Sequence, residues 1–102
     1  MNYEFKGKRA IVTGASSGIG KGIATRFAKM GVKVILAARR QLELEEVAAE
    51  IRSHGGTAIV TPCDVTNPED VARVVQTAVD ELGGVDIMVN CAGIAGPMIF
   101  ED

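Results

Sequence analysis

The chain of 102 residues has room for a single domain and not for two. Its formal charge of −2, from 11 Lys+Arg against 13 Asp+Glu, supplies no basic field for a phosphate backbone, which sets aside nucleic-acid binding driven by net charge. Hydrophobic residues at 47% and charged residues at 24% mark a globular composition rather than a disordered one.

In chain order, Arg9–Thr13 reads as a short buried strand between Gly7 and Gly14. A helical pattern follows, with Ile19, Ile23, Phe27 and Met30 as its apolar stripe and Gly31 at its C′ position. Val32–Ala38, rich in β-branched residues, is the second strand. The second helix places Leu44, Val47, Ala48 and Ile51 on one face, with Glu43, Glu46, Glu50 and Arg52 outside.

Gly55-Gly56 ends that helix, and Thr57–Thr61 forms a third, shorter strand. Asn67-Pro68-Glu69-Asp70 is a helix start: a capping side chain, a proline in the first turn, and acids at the positive end of the dipole. Val71, Val74, Val75, Ala78 and Leu82 give the third helix its stripe, and Gly83-Gly84 stops it. Val85–Val89 is the fourth strand, running into Asn90-Cys91-Ala92-Gly93. Strands buried on both faces, joined by amphipathic crossover helices, predict an α/β fold with a parallel, doubly wound sheet and right-handed crossovers.

The apolar runs are short, as in Ala10–Val12 and Val34–Ala38, and none approaches the ~20 residues of a membrane span. No signal peptide is visible in Met1–Lys6. Cys63 and Cys91 are too few for a disulfide framework and are expected as free thiols in a reducing, cytosolic setting. His54 is the single histidine and stands beside Gly55, which predicts a solvated residue at a helix end and no metal site.

Chemistry concentrates in Thr13-Gly14-Ala15-Ser16-Ser17-Gly18-Ile19-Gly20, between the first strand and first helix. Glycines belong here because one permits the sharp turn, one lets backbone approach a pyrophosphate, and one lets the helix sit close to the strand. Helix N-terminal N–H groups then face the phosphates, while Ser16 and Ser17 can cap the helix or donate to phosphate oxygens. The bland alternative is a tight turn whose glycines serve packing alone. About 20 residues beyond, at Ala38-Arg39-Arg40, no acid is present to hold the ribose hydroxyls of NAD, whereas Arg39 offers a fork of donors to the 2′-phosphate of NADP. Alternatively, Arg39 and Arg40 form a solvated charge pair opening a helix.

The spacing Gly14-x-x-x-Gly18-x-Gly20 after Thr13 resembles the glycine motif of the short-chain dehydrogenase/reductase family, in its shorter branch. Asn90-Cys91-Ala92-Gly93 resembles that family's Asn-Asn-Ala-Gly, with Cys91 in place of the second asparagine, and Asp64-Val65 falls where its third strand ends. The resemblance covers essentially the whole chain. It implies a Rossmann-like sheet of order 3-2-1-4, ending here after the fourth strand, and a nicotinamide dinucleotide as cofactor, NADP(H) rather than NAD(H). It implies cofactor contacts at Gly14, Ser16, Ser17, Gly18, Ile19, Gly20, Arg39, Arg40, Asp64, Val65, Asn90, Ala92 and Gly93. Among these, Asp64 would accept from the adenine amino group or serve as a turn carboxylate, Val65 would cover the adenine, and Asn90 would tie the central strands.

The family's proton-transfer set is a serine with Tyr-x-x-x-Lys, and no such spacing occurs here; Tyr3 is followed four residues later by Gly7. The chain is therefore expected to be the dinucleotide-binding half of a longer oxidoreductase that interconverts a carbonyl and an alcohol, inactive on its own and bearing no catalytic residue. A non-catalytic nucleotide-binding or protein-interaction module of the same descent is the alternative. Ending after four strands would also leave the fourth strand as an open edge and bare one face of strands one and four, inviting self-association.

Overall fold

The computed structural model describes residues 5–16, 18–91 and 98–101, the last stretch as backbone. Four strands, β1 (Arg9–Thr13), β2 (Lys33–Ala38), β3 (Ala58–Pro62) and β4 (Ile87–Asn90), alternate with helices α1 (Gly18–Lys29), α2 (Gln41–Ser53) and α3 (Pro68–Leu82). These strands lie parallel in the order β3-β2-β1-β4, the Rossmann-like arrangement expected from the sequence.

One difference lies at the sheet edge. A fifth strand, β5 (Met98–Glu101), pairs antiparallel with β4, setting Met88 opposite Phe100 and Asn90 opposite Met98. The open β4 edge expected from four strands is thus occupied by the segment Met98-Ile99-Phe100, whose composition suits a strand. The bare face expected on strands one and four is only partly found: Ile11 of β1 is fully buried on the α3 side, while Met88 of β4 on that side is half-buried.

The period-2 alternation explains the two-sided burial. Ala10, Val12, Val34, Leu36, Ile87 and Val89 join Ala24 of α1 and Leu44, Val47, Ala48 and Ile51 of α2 in one cluster, with Phe5 and Phe27 packed against it. Ile11, Ile35 and Ala37 join Val74 and Ala78 of α3 in the other. The α2 stripe matches its periodicity residue for residue, whereas Ile19 of the α1 stripe is 64% exposed. On that helix Gly20 and Ala24 are the fully buried contacts, with Ile23 and Phe27 packed half-buried against the same cluster, and only at Gly20 is the approach too close for a side chain.

The helix ends follow local chemistry. Asn67 caps α3 by accepting from the Glu69 N–H at 2.9 Å, Pro68 opens the helix, and Gly83 closes it at φ +88°. β3 is the outer parallel strand and ends on Pro62, whose missing N–H costs little at an edge. β4 begins at Ile87, two residues later than its apolar run suggests, because Asp86 is engaged with Arg9. The Asp86 N–H donates to the Arg9 carbonyl at 2.8 Å, while Arg9 N–H and Nε both donate to Asp86 Oδ2 at 2.8 Å and Nη2 donates to Oδ1 at 3.0 Å.

Candidate functional site

In a parallel sheet every strand delivers its carboxyl end to the same rim, and the loops there form a crevice where the strand order reverses. Here the order reverses between β1 and β4, and on the same rim a cavity of about 290 Å³ opens over the ends of β1, β2 and β3, lined by Gly14, Ser16, Ala38, Arg39, Arg40, Cys63, Asp64, Val65 and Thr66. A smaller hollow of about 240 Å³ lies at the opposite rim, between the C-terminal ends of α1 and α2, where Lys29, Glu50 and His54 stand.

The turn after β1 needs its glycines. Gly14 and Gly18 adopt φ +64° and +61°, a region that costs other residues strain. A Cβ on Gly20 would collide with the Gly14 carbonyl oxygen, lying also 2.7 Å from its carbon and 3.2 Å from Ala15 Cα. The glycines therefore shape a cradle of bare backbone against which α1 starts, and the first turn of α1 holds no acidic side chain to compete for an anion. Ile19 projects to solvent beside it. Ser16 lies half-buried on the cavity wall. The phosphates of a dinucleotide fit such a cradle, which among the described residues presents main-chain groups together with Ser16.

The other wall comes from the ends of β2 and β3, fastened by Cys63 N–H donating to the Ala38 carbonyl at 2.8 Å. Arg39 Nη2 lies 3.2 Å from Asp64 Oδ1, with the guanidinium largely exposed. Arg40 occupies the N-cap position of α2 without capping it, and its Nη1 lies 3.4 Å from Glu43 Oε2. Both arginines thus have carboxylate partners, which relieves their unfavourable position at a helix start.

Asp64 Oδ1 also accepts from the Thr66 N–H at 2.9 Å and from Thr66 Oγ1 at 2.6 Å. These Thr66 bonds, with the Arg39 guanidinium adding to them, hold the Asp64 carboxyl down to about 2. Asp64 therefore does serve as a turn carboxylate while lining the cavity. Cys63 is buried beneath the wall, and its burial pushes the thiol above its ordinary range.

At the end of β4, Thr13 Oγ1 donates to Asn90 Oδ1 at 2.8 Å and accepts from the Cys91 N–H at 3.0 Å. Asn90 is thus linked to the same turn residue that precedes Gly14. Burial raises the Cys91 thiol too, and neither cysteine forms a disulfide. Of the residues singled out in the sequence, Gly14, Ser16, Arg39, Arg40, Asp64 and Val65 line one cavity, Gly18, Ile19 and Gly20 begin the helix beside it, and Asn90 stands at the neighbouring strand end. Ser17, Ala92 and Gly93 lie outside the described residues. Thr13 stood among them only as the opening residue of the glycine motif, and Thr66 did not; Thr66 could have been found from its place two residues after Asp64, the spacing of an Asx turn.

Comparison with known proteins agrees with this geometry. The sequence model of the short chain dehydrogenase family matches residues 8–102. A short chain dehydrogenase of Pseudocercospora fijiensis is 43% identical over 100 residues, covering 96% of this chain and 32% of its own. The crystal structure of a hydroxysteroid dehydrogenase from Escherichia coli superposes with a TM-score of 0.83 at 38% identity, over 88% of this chain and 39% of that one. L-Sorbose reductase from Gluconobacter frateurii, solved with NADPH and L-sorbose, superposes with a TM-score of 0.83 at 43% identity, over 86% of this chain and 34% of that one. The chain thus spans about a third of the length of the curated relatives it matches.

Proposed function

This chain belongs to the short-chain dehydrogenase family of oxidoreductases, and on that premise we propose that residues 1–102 form the dinucleotide-binding half-domain of an enzyme interconverting a carbonyl and an alcohol, with NADP(H) favoured over NAD(H). The observation that carries the reading is the single cavity shared by the glycine turn, Arg39 and Asp64. When bound, the dinucleotide supplies or accepts the hydride of that reaction.

This chain's own residues bind and orient. Main-chain N–H groups about Gly14, Gly18 and Ile19, with Ser16 and Ser17, take the diphosphate. Arg39 offers paired donors to a 2′-phosphate, whose charge of about −1.5 to −2 exceeds that of the Asp64 carboxylate it now meets. The missing acid at Ala38 removes the acceptor that ribose hydroxyls would use. Val65 covers the adenine, Arg40 adds positive charge at the mouth, and Asn90, Ala92 and Gly93 shape the nicotinamide end. Two unpaired thiols suit a reducing cytosolic compartment.

Calorimetric titration of the chain with NADPH and NADH tests the reading. NADPH should bind and NADH should bind more weakly. Indifference to both nucleotides at millimolar concentration would overturn it.

A further inference from the structure

The wall that Asp64 belongs to is held from behind. Asp64 donates its main-chain N–H to Asp70 Oδ2 at 3.0 Å. Asp70 Oδ1 lies 3.3 Å from Arg73 Nη2, and that same nitrogen donates to the Pro62 carbonyl at 3.0 Å. One carboxylate–guanidinium pair on the first turns of α3 thus grips the main chain on both sides of Cys63. Pro62 is the last residue of β3, and Asp64 is the first of the connection that walls the cavity. Neither Asp70 nor Arg73 lines the cavity itself.

The consequence is directional. Asp64 presents Oδ1 to Thr66 and Arg39, so the position of its backbone sets where both lie. Fixing the Asp64 N–H and the Pro62 C=O leaves this crossover little freedom, and a preorganised wall avoids the ordering cost a ligand would otherwise meet. We propose that Asp70 and Arg73 are positioning residues for the adenine end of the cofactor, setting affinity for the 2′-phosphoadenosine moiety without touching it. This rests on the NADP(H) reading above.

Adenosine 2′,5′-bisphosphate isolates that end and serves as the probe, titrated by calorimetry into the chain and its variants. Asp70→Ala, which leaves the Asp64 N–H without its acceptor, should weaken binding about tenfold. Asp70→Asn retains an acceptor oxygen and should restore most of the affinity. Arg73→Ala, at a half-exposed side chain where folding is not at stake, should weaken binding by a smaller factor. Asp80→Ala, on the same helix and bonded among the described residues to Gln76, should leave it unchanged. Faster hydrogen exchange at the Asp64 amide in Asp70→Ala, with β1 and β2 amides unaltered, would separate local positioning from general loosening. Unchanged affinity in Asp70→Ala and Arg73→Ala overturns the proposal, as does an equal loss in Asp80→Ala. Failure of the unaltered chain to bind the probe would instead remove the NADP(H) reading beneath it.

Discussion

The Arg39 guanidinium stands 3.2 Å from the Asp64 carboxylate, joining the ends of β2 and β3 across the mouth of the cavity. The pair is exposed, so it contributes little to stability and is free to exchange one anionic partner for another. Removing the arginine therefore tests recognition rather than folding. Arg39→Ala should weaken NADPH binding about tenfold, roughly 1.4 kcal/mol, while leaving NADH within about a factor of two. Parallel titrations of the two nucleotides give the ratio, and a ratio unchanged from the parent chain would exclude Arg39 as the selector.

Gly20 is the position where α1 comes closest to the turn. Its would-be Cβ meets backbone atoms of Gly14 and Ala15, which cannot swing aside as a side chain could. Gly20→Ala should cost on the order of 2–3 kcal/mol, as overpacking does, and should abolish nucleotide binding by pushing the helix start away from the cradle. Urea denaturation reads the first effect and calorimetry the second. Gly22→Ala, on the same helix with open space about its Cα, should instead be neutral or stabilising.

Thr13, only 3% exposed, ties β1 to β4 through its hydroxyl. Thr13→Val keeps the volume but removes both bonds, leaving the Cys91 N–H without its acceptor. The expected loss is about 1–3 kcal/mol, with Thr13→Ser recovering most of it. The shift in urea midpoint between the two variants measures the hydroxyl alone.

At the other end of the same two strands, Arg9 holds the Asp86 carboxyl down to about 2, through its side-chain and main-chain donors. In the unfolded chain the group titrates near about 3.9. The folded value is the lower one, so the stabilisation is complete above about pH 4 and is lost as pH falls toward 2. Urea midpoints measured from pH 6 to pH 2 should show Asp86→Asn less stable than the parent at pH 6. The gap should close as the solution is acidified, and a gap constant across that range would rule out the linkage.

What could be read from the chain divides by the range of the interaction. The stripe Leu44, Val47, Ala48, Ile51 and the Asn67-Pro68 start are local, each specified within a few residues, and the structure reproduces them. The alternation of strands and crossovers predicted a parallel, doubly wound sheet, while the order of its strands was implied by the family resemblance, and the structure has both. Ile19 misled because periodicity equates apolar with buried, whereas the first turn of α1 meets the sheet through Gly20, and the rest of the stripe, Ile23 and Phe27, packs half-buried. The bonds Arg9–Asp86 and Thr13–Asn90 each join residues 77 positions apart, and no local pattern announces such pairs. Asp70 illustrates a third kind of loss. As an acid at a helix start it reads as a dipole partner, which hides its grip on the Asp64 amide. The pairing of β5 with β4 was likewise unreadable, because edge pairing depends on which strand the fold leaves available.

The seam between β1 and β4 is pinned twice, by the bidentate Arg9–Asp86 pair where the strands begin and by the Thr13 hydroxyl where they finish. Two fasteners so spaced oppose both sliding and shearing of one strand past the other, and this half of the rim behaves as a fixed anvil. Any yielding needed to admit a long ligand then falls to the exposed side chains of Arg39 and Arg40, which follow β2 on the far side of the cavity.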